Sequence, residues 1–163
     1  MLLKNKFIIY ILFVTSILLG FFLQENASGG AKIDYEFFKP FIFAFSQDFK
    51  SGLDLFANNP GSFIHSPFFY IMVGYLFKVL DNIFVVQILY ILVCSTLPYI
   101  IYLILKTKYK VNYEYLFYIS LIIFFSIYFR SSAIWLLGDN LSILFFSLSV
   151  LFFLKTFENN KII

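Results

Sequence analysis

Few side chains in this sequence can do chemistry, and they gather where one long polar segment meets apolar ones. Asp34 and Glu36 lie two residues apart, after the small, flexible stretch Asn26-Ala27-Ser28-Gly29-Gly30-Ala31 and before an aromatic run. A carboxylate so placed can act as general base toward a hydroxyl or help to hold a divalent metal; the plain alternative is a solvated loop acid. His65, in His65-Ser66-Pro67, can bind phosphate or shuttle a proton, or simply precede a helix started by proline. Arg130, with Ser131, Ser132 and Trp135 near it, can pair with a phosphate bidentately or serve as an interfacial anchor. Asp139 opens the run Asp139-Asn140-Leu141-Ser142, where it can cap a helix or face a polar cavity.

Other chemistries lack their residues. The lone Cys94 forms no internal disulfide, and one Cys with one His makes no zinc cluster. No glycine-rich phosphate loop, nucleophile elbow or His-Glu-x-x-His helix is present. A formal charge of +3 with dispersed lysines gives no nucleic-acid footprint.

The elements that must position these residues are set by composition. The 163 residues are 61% apolar and only 13% charged, with 25 Phe and 12 Tyr. A soluble globule averages about 45–50% apolar and about 25% charged, so the chain is read as an all-α integral membrane protein. A crossing needs roughly 20 apolar residues for about 30 Å of hydrocarbon. Four segments qualify: 7–23, 83–105 with Pro98 inside it, 113–130 and 135–154. Ser95 and Thr96 offer hydroxyls to compensate the proline. The first span is expected to stay as an uncleaved anchor, since Glu25-Asn26-Ala27-Ser28 makes a poor cleavage site.

The apolar run 67–80 is shorter and contains Lys78. If it lies along the surface, Lys4, Lys6, Lys106, Lys108, Lys110, Lys155 and Lys161 all fall inside, seven of the twelve basic residues. If it crosses, the last five move outside and only Lys4, Lys6, Lys78 and Arg130 remain within. The rule that Lys and Arg favour cytoplasmic loops selects the first arrangement. It predicts one membrane domain over 1–163, four transmembrane helices and both termini in the cytoplasm. The long outer loop 24–82 then carries two juxtamembrane amphipathic helices. The first follows Pro40, with Phe41, Ile42, Phe45 and Phe49 at helical spacing. The second follows the turn Asn58-Asn59-Pro60-Gly61.

In this order the features resemble the N-terminal part of GT-C fold membrane glycosyltransferases, especially the dolichyl-phosphate-mannose–protein mannosyltransferase and aminoarabinose transferase relatives. Gly30-Ala31-Lys32-Ile33-Asp34-Tyr35-Glu36 occupies the place of the family's first-loop acidic motif. His65-Ser66-Pro67-Phe68-Phe69-Tyr70 is similar to its His-Pro-Pro-Leu-Tyr-Tyr motif, with Ser66 in place of the first proline. Gly138-Asp139-Asn140-Leu141-Ser142 sits where the family often has an acid opening the fourth span.

The resemblance implies sugar transfer from a polyprenyl-phosphate donor to an acceptor glycan, lipid or protein on the outer face of a bacterial cell membrane. Asp34 takes the catalytic role, as base or metal ligand, with Glu36, His65, Arg130 and Asp139 as substrate-binding companions. No organic cofactor is implied; a divalent metal on Asp34 and Asp139 is one option. Such enzymes are several times longer, so the chain is expected to be a portion of one, inactive alone. A different class also fits: a small non-catalytic membrane scaffold or assembly subunit whose outer helices contact a partner.

Overall fold

A computed structural model of the chain describes residues 2–59 and 66–160, and every regular element among them is helical. In chain order these are α1 (Leu2–Phe22), α2 (Ala31–Gln47), α3 (Phe49–Ala57), α4 (Phe68–Leu80), α5 (Ile83–Cys94), α6 (Leu97–Lys108) and α7 (Tyr113–Ser120). A 3-10 segment (Leu121–Phe125) follows, then α8 (Ile127–Ile134) and α9 (Asp139–Asn160).

Three stretches are long and apolar enough to cross a membrane: Asn5–Phe22, Ile83–Lys108 and Asp139–Phe157. A fourth arises if α7, the 3-10 segment and α8 count as one span bent by 65°. Their apolar side chains face outward, with Phe7 67%, Phe146 71% and Phe153 68% exposed. So much outward apolar surface suits lipid rather than water.

Local chemistry explains the breaks. Asp81 stops α4 in a left-handed conformation, and Asn82 starts α5 by accepting hydrogen bonds from Phe84 N at 2.9 Å and Val85 N at 3.4 Å. Pro98 falls in the first turn of α6, where its missing N–H costs little. Thr96 Oγ1 donates to Val93 O at 2.7 Å beside it, whereas the buried Ser95 hydroxyl has no partner among the described residues. Ser126 is extended and caps α8 by accepting from Phe129 N at 3.3 Å, so the expected span 113–130 is broken there. The expected span 135–154 likewise begins late: α9 starts at Asp139 because Leu136 turns left-handed, with φ of 53°.

Among its described residues the segment 24–82 holds three helices instead of two. Asp48 is extended, ends α2 and caps α3 by accepting from Ser51 N at 2.9 Å. The first helix also starts earlier than predicted. It begins at Ala31 and runs through Pro40, which is exposed, as is Glu36, whose carbonyl loses its usual partner. Asp34 and Glu36 are therefore helical residues.

Aromatic contacts bind these helices: Phe38 stacks on Tyr70 at 4.9 Å, and Phe41 meets Phe56 at 5.3 Å. The segment leaves and rejoins the bundle at one end, since Phe21 of α1 touches Phe84 of α5 with ring centroids 4.8 Å apart. At the other end Lys6 Nζ pairs with Glu114 Oε1 at 3.2 Å.

Candidate functional site

The turn between α8 and α9 forms one wall of the site, and a set of hydrogen bonds holds it. Leu137 N donates to Ser132 O at 3.0 Å, closing α8 around the left-handed Leu136. The Tyr90 hydroxyl donates to Leu137 O. Asn140, buried, donates from Nδ2 to Phe129 O at 2.8 Å. Ser142 Oγ donates to Gly138 O at 3.1 Å, which steadies the first turn of α9. Asp139 lies in that turn, where the N-terminal end of the helix favours a carboxylate.

The opposite wall is the first turn of α2, which carries Asp34, together with the start of α4. Two clefts adjoin between these walls. The first, about 220 Å3, is lined by Asp34, Asp139, Ser66, Tyr70, Gly138 and Ser142 among others. The second, about 330 Å3, is lined by Asp34, Asp139, Ser28, Ser126, Ser132 and Asn140 among others. Asp34, Asp139 and Leu137 belong to both. Both acids are exposed, so each can meet a ligand. Tyr70 is buried between them and the aromatic core. Its burial, then the Asp139 and Asp34 carboxylates, push its hydroxyl above the ordinary phenol range. It therefore stays protonated at neutral pH and can donate a hydrogen bond.

The structure brings together Asp34 and Asp139 and separates them from Glu36 and Arg130. Glu36 lies on another side of α2, with its Oε2 3.7 Å from Lys39 Nζ. Arg130 also points elsewhere: Nε donates to Glu25 Oε1 at 2.9 Å and Nη2 to Glu25 Oε2 at 2.5 Å. Its Nη1 reaches Ser16 Oγ at 3.1 Å. Arg130 therefore joins α8 to α1 and lines neither cleft. His65 lies outside the described residues.

Four contributors have roles that the sequence pattern does not reveal. Glu25 stands in the sequence only as part of a poor cleavage site, yet its carboxylate holds Arg130 and its carbonyl accepts from Trp135 Nε1 at 2.8 Å. Tyr70 and Ser66 stand inside the motif quoted for His65, so the signal was present but carried no role. Asn140 was read beside Asp139 as a cap, whereas its side chain holds Phe129.

Among the described residues no three His, Cys, Asp or Glu gather as a metal cluster. Two carboxylates flanking a cleft fit a magnesium-like ion completed by water and substrate phosphate oxygens. Asp34 and Asp139 would hold such an ion, which supplies charge neutralisation for a phosphate leaving group. No protein-family model, curated protein or solved structure matches the chain.

Proposed function

We propose that the chain is the N-terminal portion of a membrane glycosyltransferase of the GT-C kind, taking its sugar from a polyprenyl-phosphate donor on the outer face of a bacterial cell membrane. The observation that carries this reading is the meeting of Asp34 and Asp139 on the same two clefts. In this reading Asp34 removes the proton of an acceptor hydroxyl as its oxygen attacks the anomeric carbon. The bond from that carbon to the phosphate oxygen breaks, and the polyprenyl phosphate leaves with the electron pair, inverting the centre. The acceptor is a hydroxyl of a glycan, lipid or protein. Asp139 faces the donor side.

A third feature supports a lipid-linked substrate. An almost wholly apolar groove of about 470 Å3 runs between α4 and α5 and shares Leu136 and Leu141 with the first cleft. A prenyl tail can follow it while the phosphate stays at the carboxylates.

Four crossings with both termini cytoplasmic fit the same reading. Phe21 against Phe84 favours an even number of crossings within 24–82, and α4 is too short to be counted among the candidate spans. Lys6, paired with Glu114, and Lys106, 5.1 Å over the Tyr113 ring, gather at the start of α7, as a cytoplasmic end would require.

The test is photo-crosslinking with a diazirine-bearing polyprenyl-phosphate sugar in membranes containing the chain. Labelling is expected on α4 and on the start of α9, competed by unlabelled donor and reduced in Asp34→Asn and Asp139→Asn. Absent labelling, together with co-purification of a stable protein complex, would favour the scaffold reading.

A further inference from the structure

On another side of α2 from Asp34, Lys32, Glu36 and Lys39 share a separate cleft of about 330 Å3 with the end of α1 and the start of α5. Lys32 Nζ stands 5.2 Å over the Trp135 ring and Lys39 Nζ 5.6 Å over the Tyr35 ring. Glu36 answers Lys39 loosely, and that pair is largely open to solvent, where such pairs contribute little. Two cations against one carboxylate leave the cleft net positive.

Gln87 gives an independent observation. It is only 7% exposed and lines this cleft, yet among the described residues its amide makes no hydrogen bond. Its amide atoms are open to the cleft, because the one fully buried side-chain oxygen or nitrogen without a partner among the described residues is Ser95 Oγ. Its N–H groups are therefore free to donate to a ligand in the cleft that Lys32 and Lys39 also line.

We propose that this cleft binds a phosphate group, with Lys32 and Lys39 supplying charge and the Gln87 amide a hydrogen bond. Lysine suits the task as a compact, strongly charged donor. Phe22 and Phe84, exposed at 59% and 44%, line the same cleft. An apolar edge beside a cationic one matches a phospholipid headgroup, and inorganic phosphate offers the same chemistry to the lysines and the amide. The cleft does not include Asp34 or Asp139, so it is distinct from the proposed transfer site.

Trp135 is the only tryptophan in the sequence, and it lies under Lys32, so its fluorescence reports on the cleft. The full chain in maltoside micelles is titrated with inorganic phosphate, with phosphatidylglycerol and with phosphate-free diacylglycerol. A saturable change is expected with phosphatidylglycerol and none with diacylglycerol. Saturation by phosphatidylglycerol alone identifies a headgroup site; saturation by inorganic phosphate as well identifies a general phosphate site. Lys32→Gln with Lys39→Gln should weaken binding about tenfold, and Lys50→Gln should leave it within about twofold. Gln87→Leu should weaken it about fivefold. Lipid retained in native mass spectrometry gives the same comparison without relying on Lys32's contact with the ring, and circular dichroism checks each variant's fold. No saturable response to either phosphate source, or unchanged retention in the doubly substituted chain, would overturn the proposal.

Discussion

Arg130 clasps both carboxylate oxygens of Glu25, Nε to Oε1 at 2.9 Å and Nη2 to Oε2 at 2.5 Å, and so ties α8 to the end of α1. The pair is mostly shielded, with side chains 17% and 25% exposed. Paired planar groups of this kind are among the stronger polar contacts. Replacing Glu25 by Gln, or Arg130 by Met, is expected to cost about 2 kcal/mol, the size of a hydrogen bond to a charged group. Thermal unfolding in maltoside micelles measures it. Gly20 belongs to the same contact, since a Cβ there would stand 2.4 Å from Glu25 Oε2 and 3.2 Å from Arg130 Nη2. Gly20→Ala should loosen the pair without touching either charge.

The same pair sets a pH dependence. Hydrogen bonding from Arg130 lowers the Glu25 carboxyl below its ordinary 4.5, burial pushes back, and the charge of Arg130 lowers it further. A carboxyl with a depressed folded value contributes stability that is complete above the ordinary value and disappears as pH falls through the lower one. Stability should therefore not change on account of this pair between neutral pH and the ordinary value. Below it, the native chain should lose more stability than Arg130→Met. Unfolding midpoints measured down to acid pH check this, and parallel curves for the two proteins would remove Glu25 as the cause.

Asp34 and Glu36 make the sharpest functional contrast, because one helix points them at different clefts. The transferase reading proposed above predicts that Asp34→Asn lowers sugar transfer by about 100-fold or more, the usual loss for a general base. Glu36→Gln should stay within about twofold, since its neighbour is Lys39 and the residual pair is a surface one. A large loss in Glu36→Gln with little in Asp34→Asn would exchange their roles. Sugar transferred to acceptor in membranes is the measurement.

The apolar stretches were legible because length and hydropathy alone mark them, and α1 and the Ile83–Lys108 stretch lie close to where those stretches predict. The start of α2 was hidden by Pro40, which ordinarily ends or delays a helix. Here it lies on the exposed side, so the broken hydrogen bond is not buried. The left-handed Leu136 left no trace either, since glycine is the residue that announces such a turn. Asp34 and Asp139 each stand out in the sequence, but only the family resemblance puts them together. Their meeting depends on α2 and the α8–α9 turn facing one another, a long-range contact that no local pattern encodes. The pairing of Arg130 is hidden for the same reason: Glu25, its partner, is distant in sequence.

The arrangement of the segment 24–82 can be read from which side of the membrane reaches chosen positions. In a Cys94→Ala background, Ser28→Cys should react with an impermeant maleimide added outside. Lys108→Cys should react only after the membrane is permeabilised, since Lys106 and Lys6 gather at the opposite end from Phe21 and Phe84. Outside labelling at Lys108→Cys would turn the shared clefts of Asp34 and Asp139 toward the cytoplasm and remove the outer-face site proposed above.

Gly74 controls how closely α4 sits on α2, and through that contact the shape of the first cleft. A Cβ at this position would stand 2.8 Å from Ile42 O and 2.8 Å from Phe45 Cβ. Neither neighbour can yield, because one is helix backbone and the other the root of a side chain that is 1% exposed. Gly74→Ala must therefore separate the helices, at a cost of about 1–3 kcal/mol for overpacking. Tyr70 lies one turn earlier on the same helix and stacks on Phe38 of α2, so it should move away from Asp34 as α4 retreats. The expected result is a lowered unfolding midpoint together with weaker donor crosslinking. Gly74→Ser should behave alike, since it adds the same Cβ. By contrast, Ala at Gly29, where nothing lies within 4 Å but φ is 71°, should cost backbone strain of about 1–2 kcal/mol and leave crosslinking unchanged. Equal effects on crosslinking at the two glycines would mean that overall stability, not the seating of α4, governs the cleft.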